Sequence, residues 1–197
     1  MKEFFLFIAN LLLVVTIVAY LRNIVANGVT PNPATFFIRS VVAIMNCFSY
    51  FAVVNKDFFV LSVTIISAIG LTVVFSYSLF KGKFTKLRFV DIVCGTAAVI
   101  IGIIWKSTGS PVLANLLLQI IMLLSFYPAI SGVITNHAKE KPMPWIFATL
   151  CYVFMIGAII TDWNAGAWYA LVHPIVSGVV GNGSLAFAII YAKAEKN

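Results

Sequence analysis

The sequence predicts an all-α membrane protein: seven transmembrane helices forming two parallel three-helix repeats joined by a linker helix. Three observations predict it. Apolar residues make up 62% of the 197-residue chain and charged residues 10%, with a mean hydropathy of +1.05. A soluble domain is nearer half apolar and a quarter charged, so this chain must turn its exterior to lipid. The apolar residues fall into seven runs, at about 4–22, 34–54, 58–80, 90–105, 112–134, 144–161 and 166–192. Most are close to the roughly 20 helical residues that a hydrocarbon core of about 30 Å requires. The third observation is a phrase that occurs twice, taken up after the runs.

The first run follows Met1-Lys2-Glu3 and outlasts the apolar region of a secretion signal. No convincing small-x-small cleavage site follows it, so it reads as a true span. The second opens at Pro33, natural for a helix's first turn, where a missing N–H goes unmissed, and carries Arg39. The fourth, Val90 to Trp105, is the shortest. The fifth carries an internal Pro128. The seventh holds the small-residue stretch HPIVSGVVGNGSLAF from His173 to Phe187.

Lys and Arg in the connections set the orientation. Lys2, Lys56 and Lys106 lie on one side. Arg22, Lys81, Lys83, Lys86, Arg88, Lys139, Lys141, Lys193 and Lys196 lie on the other. The N-terminus is therefore expected outside and the C-terminus in the cytoplasm, for a multi-pass protein of a cell (inner) membrane. The net charge of +7 is spread between spans rather than gathered on a face, which argues against nucleic acid as a partner and for the lipid bilayer. Cys47, Cys94 and Cys151 all sit within apolar runs, with neither disulfide nor zinc spacing. Trp105, Trp145, Trp163 and Trp168 are expected in the interfacial aromatic belt.

The repeated phrase is Ala-Asn-Leu-Leu-Leu, at Ala9 and again at Ala114. Each copy leads to a Pro-x-Pro, TPNPATFF at Thr30 to Phe37 and EKPMPWIF at Glu140 to Phe147. Beyond these, Ile65 to Ser67 matches Ile175 to Ser177, and Asn55 and Asn164 both precede a third span. This ordered set divides the chain into a first repeat at 1–82, a linker helix at 83–108 and a second repeat at 109–197. Both repeats start on the same side, so they are parallel. In one known transporter plan, parallel repeats put the solute site near the midplane between them.

A three-plus-one-plus-three order with the N-terminus outside resembles the SWEET sugar transporters and the wider PQ-loop superfamily. The stretch from Asp91 through Cys94, Trp105, Thr108, Gly109 and Pro111, followed by Pro128 and by Glu140, Pro142, Pro144 and Trp145, is similar to small bacterial membrane proteins of that type that have no assigned function. The likeness covers most of the chain. It implies alternating access around a central cavity, without implying a solute. The superfamily's Pro-Gln dipeptides are absent, Tyr127-Pro128-Ala129-Ile130 and Tyr20-Leu21-Arg22-Asn23 standing in those places. The paired Asn of the sugar carriers is incomplete, because Asn182 has Thr72 as its repeat partner.

Arg39, about six residues or roughly 9 Å inside its span, is the most expensive residue in the chain unless paired, wetted or snorkelled. It either snorkels to the nearby interface or binds an anion in a wet cavity, sharing a helix face with Ala43, Asn46 and Tyr50. In the seventh span, Ser177, Asn182 and the glycines either let helices pack closely or line a solute path. His173 there is a structural partner or a proton relay. The expected solute-binding set is Arg39, Asn46, Thr72, His173, Ser177 and Asn182, with Pro128 as a hinge and Gln119, Ser76 and Tyr77 as weaker candidates. Asp91 is expected to pair with Arg88 or Lys86 at a helix N-terminus. No carboxylate pair, metal-binding spacing or phosphate loop points to an enzyme, a metal or a cofactor. The reading is thus a transporter of a small polar solute (sugar, nucleoside or vitamin, or amino-acid like). A non-transporting receptor or assembly subunit with the same fold is the alternative. A homo-oligomer is compatible with the sequence.

Overall fold

The computed structural model describes residues 1–29, 31, 33–81, 89–135, 140–163 and 168–194. Seven helical spans are long and apolar enough to cross a membrane. The first four are single helices, Lys2–Asn27, Pro33–Val53, Phe58–Lys81 and Phe89–Thr108. The fifth is Pro111–Leu124 continued by Tyr127–Ile134, and the sixth is Pro142–Thr161. The seventh runs from Tyr169–His173 through a π-helical segment, Pro174–Gly181, into Asn182–Ala194. The protein is a multi-pass, all-α membrane protein.

Local chemistry fixes the ends. Gly28 and Gly109 take φ of 67° and 64°, the left-handed conformation that closes a helix and that glycine adopts without Cβ strain. The fourth span therefore runs past the expected Trp105 to Thr108, with the Ser107 and Thr108 hydroxyls folding back onto the Ile104 carbonyl. Ser110 then caps the fifth span, its Oγ accepting from Leu113 N at 3.3 Å, ahead of Pro111. Span one shows how the sequence sorts lipid from core. Phe4, Phe7, Leu11, Val14 and Val18 form an exposed stripe at helical spacing, while Leu6, Ala9, Leu13 and Tyr20 face inward.

The packing has a simple order. Span one lies along spans three and six, and span five lies along spans seven and two. Span two packs on span three, and span six on span seven. Exchanging spans one to three for spans five to seven leaves this pattern unchanged. The linker span rests on spans five and two, with Cys94 and Ala98 against Val42 and Leu118. Asp91 at its start is buried and accepts from Thr35 Oγ1 at 3.0 Å. Its expected partners, Lys86 and Arg88, lie outside the described residues, as do Lys83, Lys139, Asn164 and Lys196.

Two ends of the bundle can be named by their residues. The Met1 end carries the turn at Asn55 and Lys56, both at positive φ, and Asp162. Lys2 Nζ lies 2.6 Å from both Asp57 Oδ2 and Asp162 Oδ2. Burial alone would raise the Asp57 carboxyl. Lys2 and the backbone N–H groups of Val60 and Phe59 outweigh it and hold the group below its ordinary value. The Pro33 end carries Gly28, Glu140 and Ala194.

Candidate functional site

Two proline effects shape the interior. Pro128 has no N–H to give to the Leu124 carbonyl, and the fifth span breaks just before it, at Ser125 and Phe126. The break turns the Phe126 ring inward, where Gly181 makes room for it: a Cβ at Gly181 would meet the ring. Pro174 likewise leaves the Ala170 carbonyl without its helical donor. The Tyr50 hydroxyl, from span two, supplies that donor at 2.7 Å. From Pro174 the backbone runs in the wider π register, a form that often accompanies functional sites. At its end Asn182 Nδ2 donates to the carbonyls of Ser177 and Gly178 at 3.2 and 2.8 Å. Gly178 has no room for a Cβ, because Tyr152 of span six occupies that space.

Among spans one to three and five to seven lies a cavity of about 120 Å³. All six spans of the two units wall it. Thr16, Ile17 and Tyr20 come from span one, Phe36, Arg39 and Val42 from span two, and Ser67, Gly70 and Leu71 from span three. Ser125 and Phe126 come from span five, Trp145 and Tyr152 from span six, and Ser177 and Asn182 from span seven; Cys94 of the linker touches it too. Among the described residues, Arg39 is the one charged residue in this wall. Its Cζ lies 4.8 Å from the centroid of Phe126 and 5.9 Å from that of Phe36, within cation–π range. Among the described residues its guanidinium makes no hydrogen bond and no ion pair.

Glu140, just outside the sixth span, is the carboxylate with an electrostatic pull on Arg39. Its oxygens are held elsewhere: Oε1 accepts from Tyr20 OH at 3.5 Å and Oε2 from Trp145 Nε1 at 3.3 Å. Burial pushes the Glu140 carboxyl up to about 7, against the opposing pull of the Trp145 N–H, the Arg39 charge and the Tyr20 hydroxyl.

Toward the Met1 end lies a buried polar cluster with Gln119 at its centre, joined to the cavity wall through Ser177. Gln119 Nε2 donates to Asn46 Oδ1 at 2.8 Å and to the Asn115 carbonyl at 3.0 Å. Asn115 Nδ2 donates to the same Asn46 oxygen and to Ser49 Oγ, at 3.0 and 3.1 Å. Gln119 Oε1 accepts from Ser177 Oγ at 2.6 Å and meets His173 Nδ1 at 3.0 Å. With that oxygen an acceptor, Nδ1 carries the proton. Nε2 is left as a buried lone pair without a hydrogen-bond partner, and the imidazole stands edge-on to Tyr50 and Tyr152, with centroids 5.1 and 5.5 Å away.

The expected site residues therefore divide. Arg39, Ser177 and Asn182 line the cavity. Asn46 and His173 are buried in the Gln119 cluster beside it, His173 being 1% exposed. Thr72 is only partly buried, its hydroxyl turned to its own helix at Ala68 O, 2.8 Å away, and it is not part of the cavity wall. Ser76 is exposed. Pro128 is buried beside the break it causes. Trp145 corrects the aromatic-belt expectation: it is buried, because Tyr20, Phe126 and Glu140 surround it, whereas Trp163 and Trp168 are exposed. Sequence reasoning missed Tyr20, Phe126 and Glu140, and ranked Gln119 too low. An intramembrane Gln four residues from an Asn was the available signal for the cluster. Comparison with protein-family models, with curated proteins and with solved structures finds no match.

Proposed function

We propose that this integral membrane protein is a transporter that moves a small solute by alternating access between its two three-span units. The observation that carries this reading is the cavity at Arg39, Ser177 and Asn182, walled by all six spans of those units. The packing pattern that survives exchange of one unit for the other supports a SWEET-like or PQ-loop-like repeat plan, as does the paired Ala-Asn-Leu₃ phrase. The break before Pro128 is a natural hinge, since it lies where span five meets the cavity. A sugar, a nucleoside or vitamin, or an amino-acid-like molecule is the solute class considered from sequence. Movement is by facilitated diffusion, because His173, the candidate proton relay, is sealed away from the cavity wall. The lysine and arginine distribution favours an inner membrane with the N-terminus outside.

The second reading, a receptor or assembly subunit that does not transport, draws on the Gln119 cluster, which fastens spans two, five and seven together. The two readings separate in a thermal-stability screen of the protein in lipid nanodiscs against sugars, nucleosides, vitamins, amino acids and organic acids. A ligand that binds only the folded state at a hundred times its Kd adds about 2.7 kcal/mol. A stabilising compound whose effect is lost in Asn182→Ala supports the transporter. No stabilisation by any class supports the second reading.

A further inference from the structure

We propose that Arg39 is the docking point for the carboxylate of a small organic monoanion with an apolar body, which names the solute class of the cavity. The inference rests on reading the cavity as a solute site and narrows the solute beyond that reading. A guanidinium carries five N–H donors. Those of Arg39 reach a cavity wall without meeting an acceptor among the described residues, and such a group is costly in an apolar surround. Glu140, the carboxylate that pulls on it electrostatically, forms its hydrogen bonds with Tyr20 and Trp145 and none with the guanidinium. Phe126 and Phe36 contact the guanidinium as π systems and accept none of its N–H bonds, so the planar fork stays free for a bidentate acceptor. Carboxylate geometry fits that fork.

The rest of the wall sets the charge and the body. With Arg39 as the one charged residue among the described residues that line the cavity, a single negative charge is neutralised there. The second charge of a phosphate monoester would find no cation. The ammonium of an amino acid would find no anion in the wall. Leu13, Ile17, Val42, Leu71 and Ile121 supply an apolar cradle. The cavity's volume is well below the roughly 300 Å³ at which drug-sized pockets begin.

The test compares 3-methylbutanoate and phenylacetate with their uncharged amides, by thermal unfolding of the full chain in nanodiscs. Each acid is expected to raise the Tm and each amide to leave it unchanged. Arg39→Gln should abolish the acid's shift, and Arg39→Lys, which keeps the charge but loses the fork, should weaken apparent affinity roughly tenfold. Quenching of wild-type tryptophan fluorescence, with Trp145 in the wall, gives a readout that depends on no variant folding: acids should change it and amides should not. Equal effects of acid and amide, survival of the shift in Arg39→Gln, or no effect of either acid would overturn the proposal. If the acids fail while a sugar or nucleoside acts through Asn182, the monoanion assignment falls and the transporter stands. If no compound of any class acts, both fall.

Discussion

Gln119 and Arg39 sit on neighbouring spans on either side of one interior, and their surroundings are opposites. Around Gln119, toward the Met1 end, hydrogen bonds of 2.6 to 3.1 Å join Asn46, Ser49, Asn115, Gln119 and Ser177, while His173 Nε2 stays without a partner among the described residues. Around Arg39, toward the Pro33 end, the donors face a cavity and the neighbours are aromatic rings. The Met1 end is further tied by Lys2 to both Asp57 and Asp162. A satisfied buried network rigidifies; an undressed charge beside empty space invites a ligand. On the proposed reading cohesion belongs to one end and recognition to the other, and substitutions can break or sharpen that contrast.

The largest effect is expected where the cohesive side is tightest. Gly178→Val places a branched side chain where Tyr152 already lies, and chemical or thermal unfolding should register a loss of about 3 kcal/mol, the scale of overpacking. A loss under about 1 kcal/mol would mean that span seven shifts freely against span six. Next, Gln119→Leu strands His173 and Ser177 and leaves Asn46 Oδ1 with the Asn115 donor alone, and should lower stability by about 2 kcal/mol, near the upper range for hydrogen bonds within membranes. Arg39→Met is the counterpart at the other end. With no hydrogen bond to lose, it should leave unliganded stability unchanged or slightly raised. Equal losses for Gln119→Leu and Arg39→Met would erase the contrast.

A smaller effect belongs to the proline-freed carbonyl. Tyr50→Phe should lower stability by about 1 kcal/mol. In a Pro174→Ala background that loss should shrink toward zero, because the restored N–H can serve the Ala170 carbonyl, and a double-mutant cycle measures the difference. A separate effect is one of pH. Glu140 binds its proton more tightly in the folded state, at about 7 against an ordinary 4.5. Its contribution is therefore full below about pH 4.5 and is lost as pH rises through 7. Glu140→Gln should flatten that slope and leave the protein more stable than wild type above pH 7. An unchanged slope would show that another group sets it.

Much of this fold was legible because lipid demands long apolar helices and the chain offers seven runs separated by charge, proline and glycine. Arg39 was legible as a candidate, and it lines the cavity, for a similar reason: a charge inside an apolar run is costly enough to need an explanation. Trp145 was not, since a tryptophan near a span's end looks the same whether it faces lipid or a glutamate across the bundle. Asn46 and His173 were expected in the solute-binding set. Whether they faced a cavity or each other depended on the Gln119 side chain of a distant span, a pairing that periodicity along one helix does not contain. Tyr20 and Phe126 gave no signal because an aromatic residue in a span is ordinary. What singles them out is the break at Pro128 and the missing Cβ of Gly181, read together in three dimensions.

The central claim is that the cavity between the two units opens to each side of the membrane in turn. Its most direct test replaces Cys47, Cys94 and Cys151, introduces Ser125→Cys in the cavity wall, and applies a membrane-impermeant thiol reagent to proteoliposomes from the outside or the lumen. The account predicts labelling from both sides, with 3-methylbutanoate slowing each. Labelling from one side only, or from neither, would contradict it.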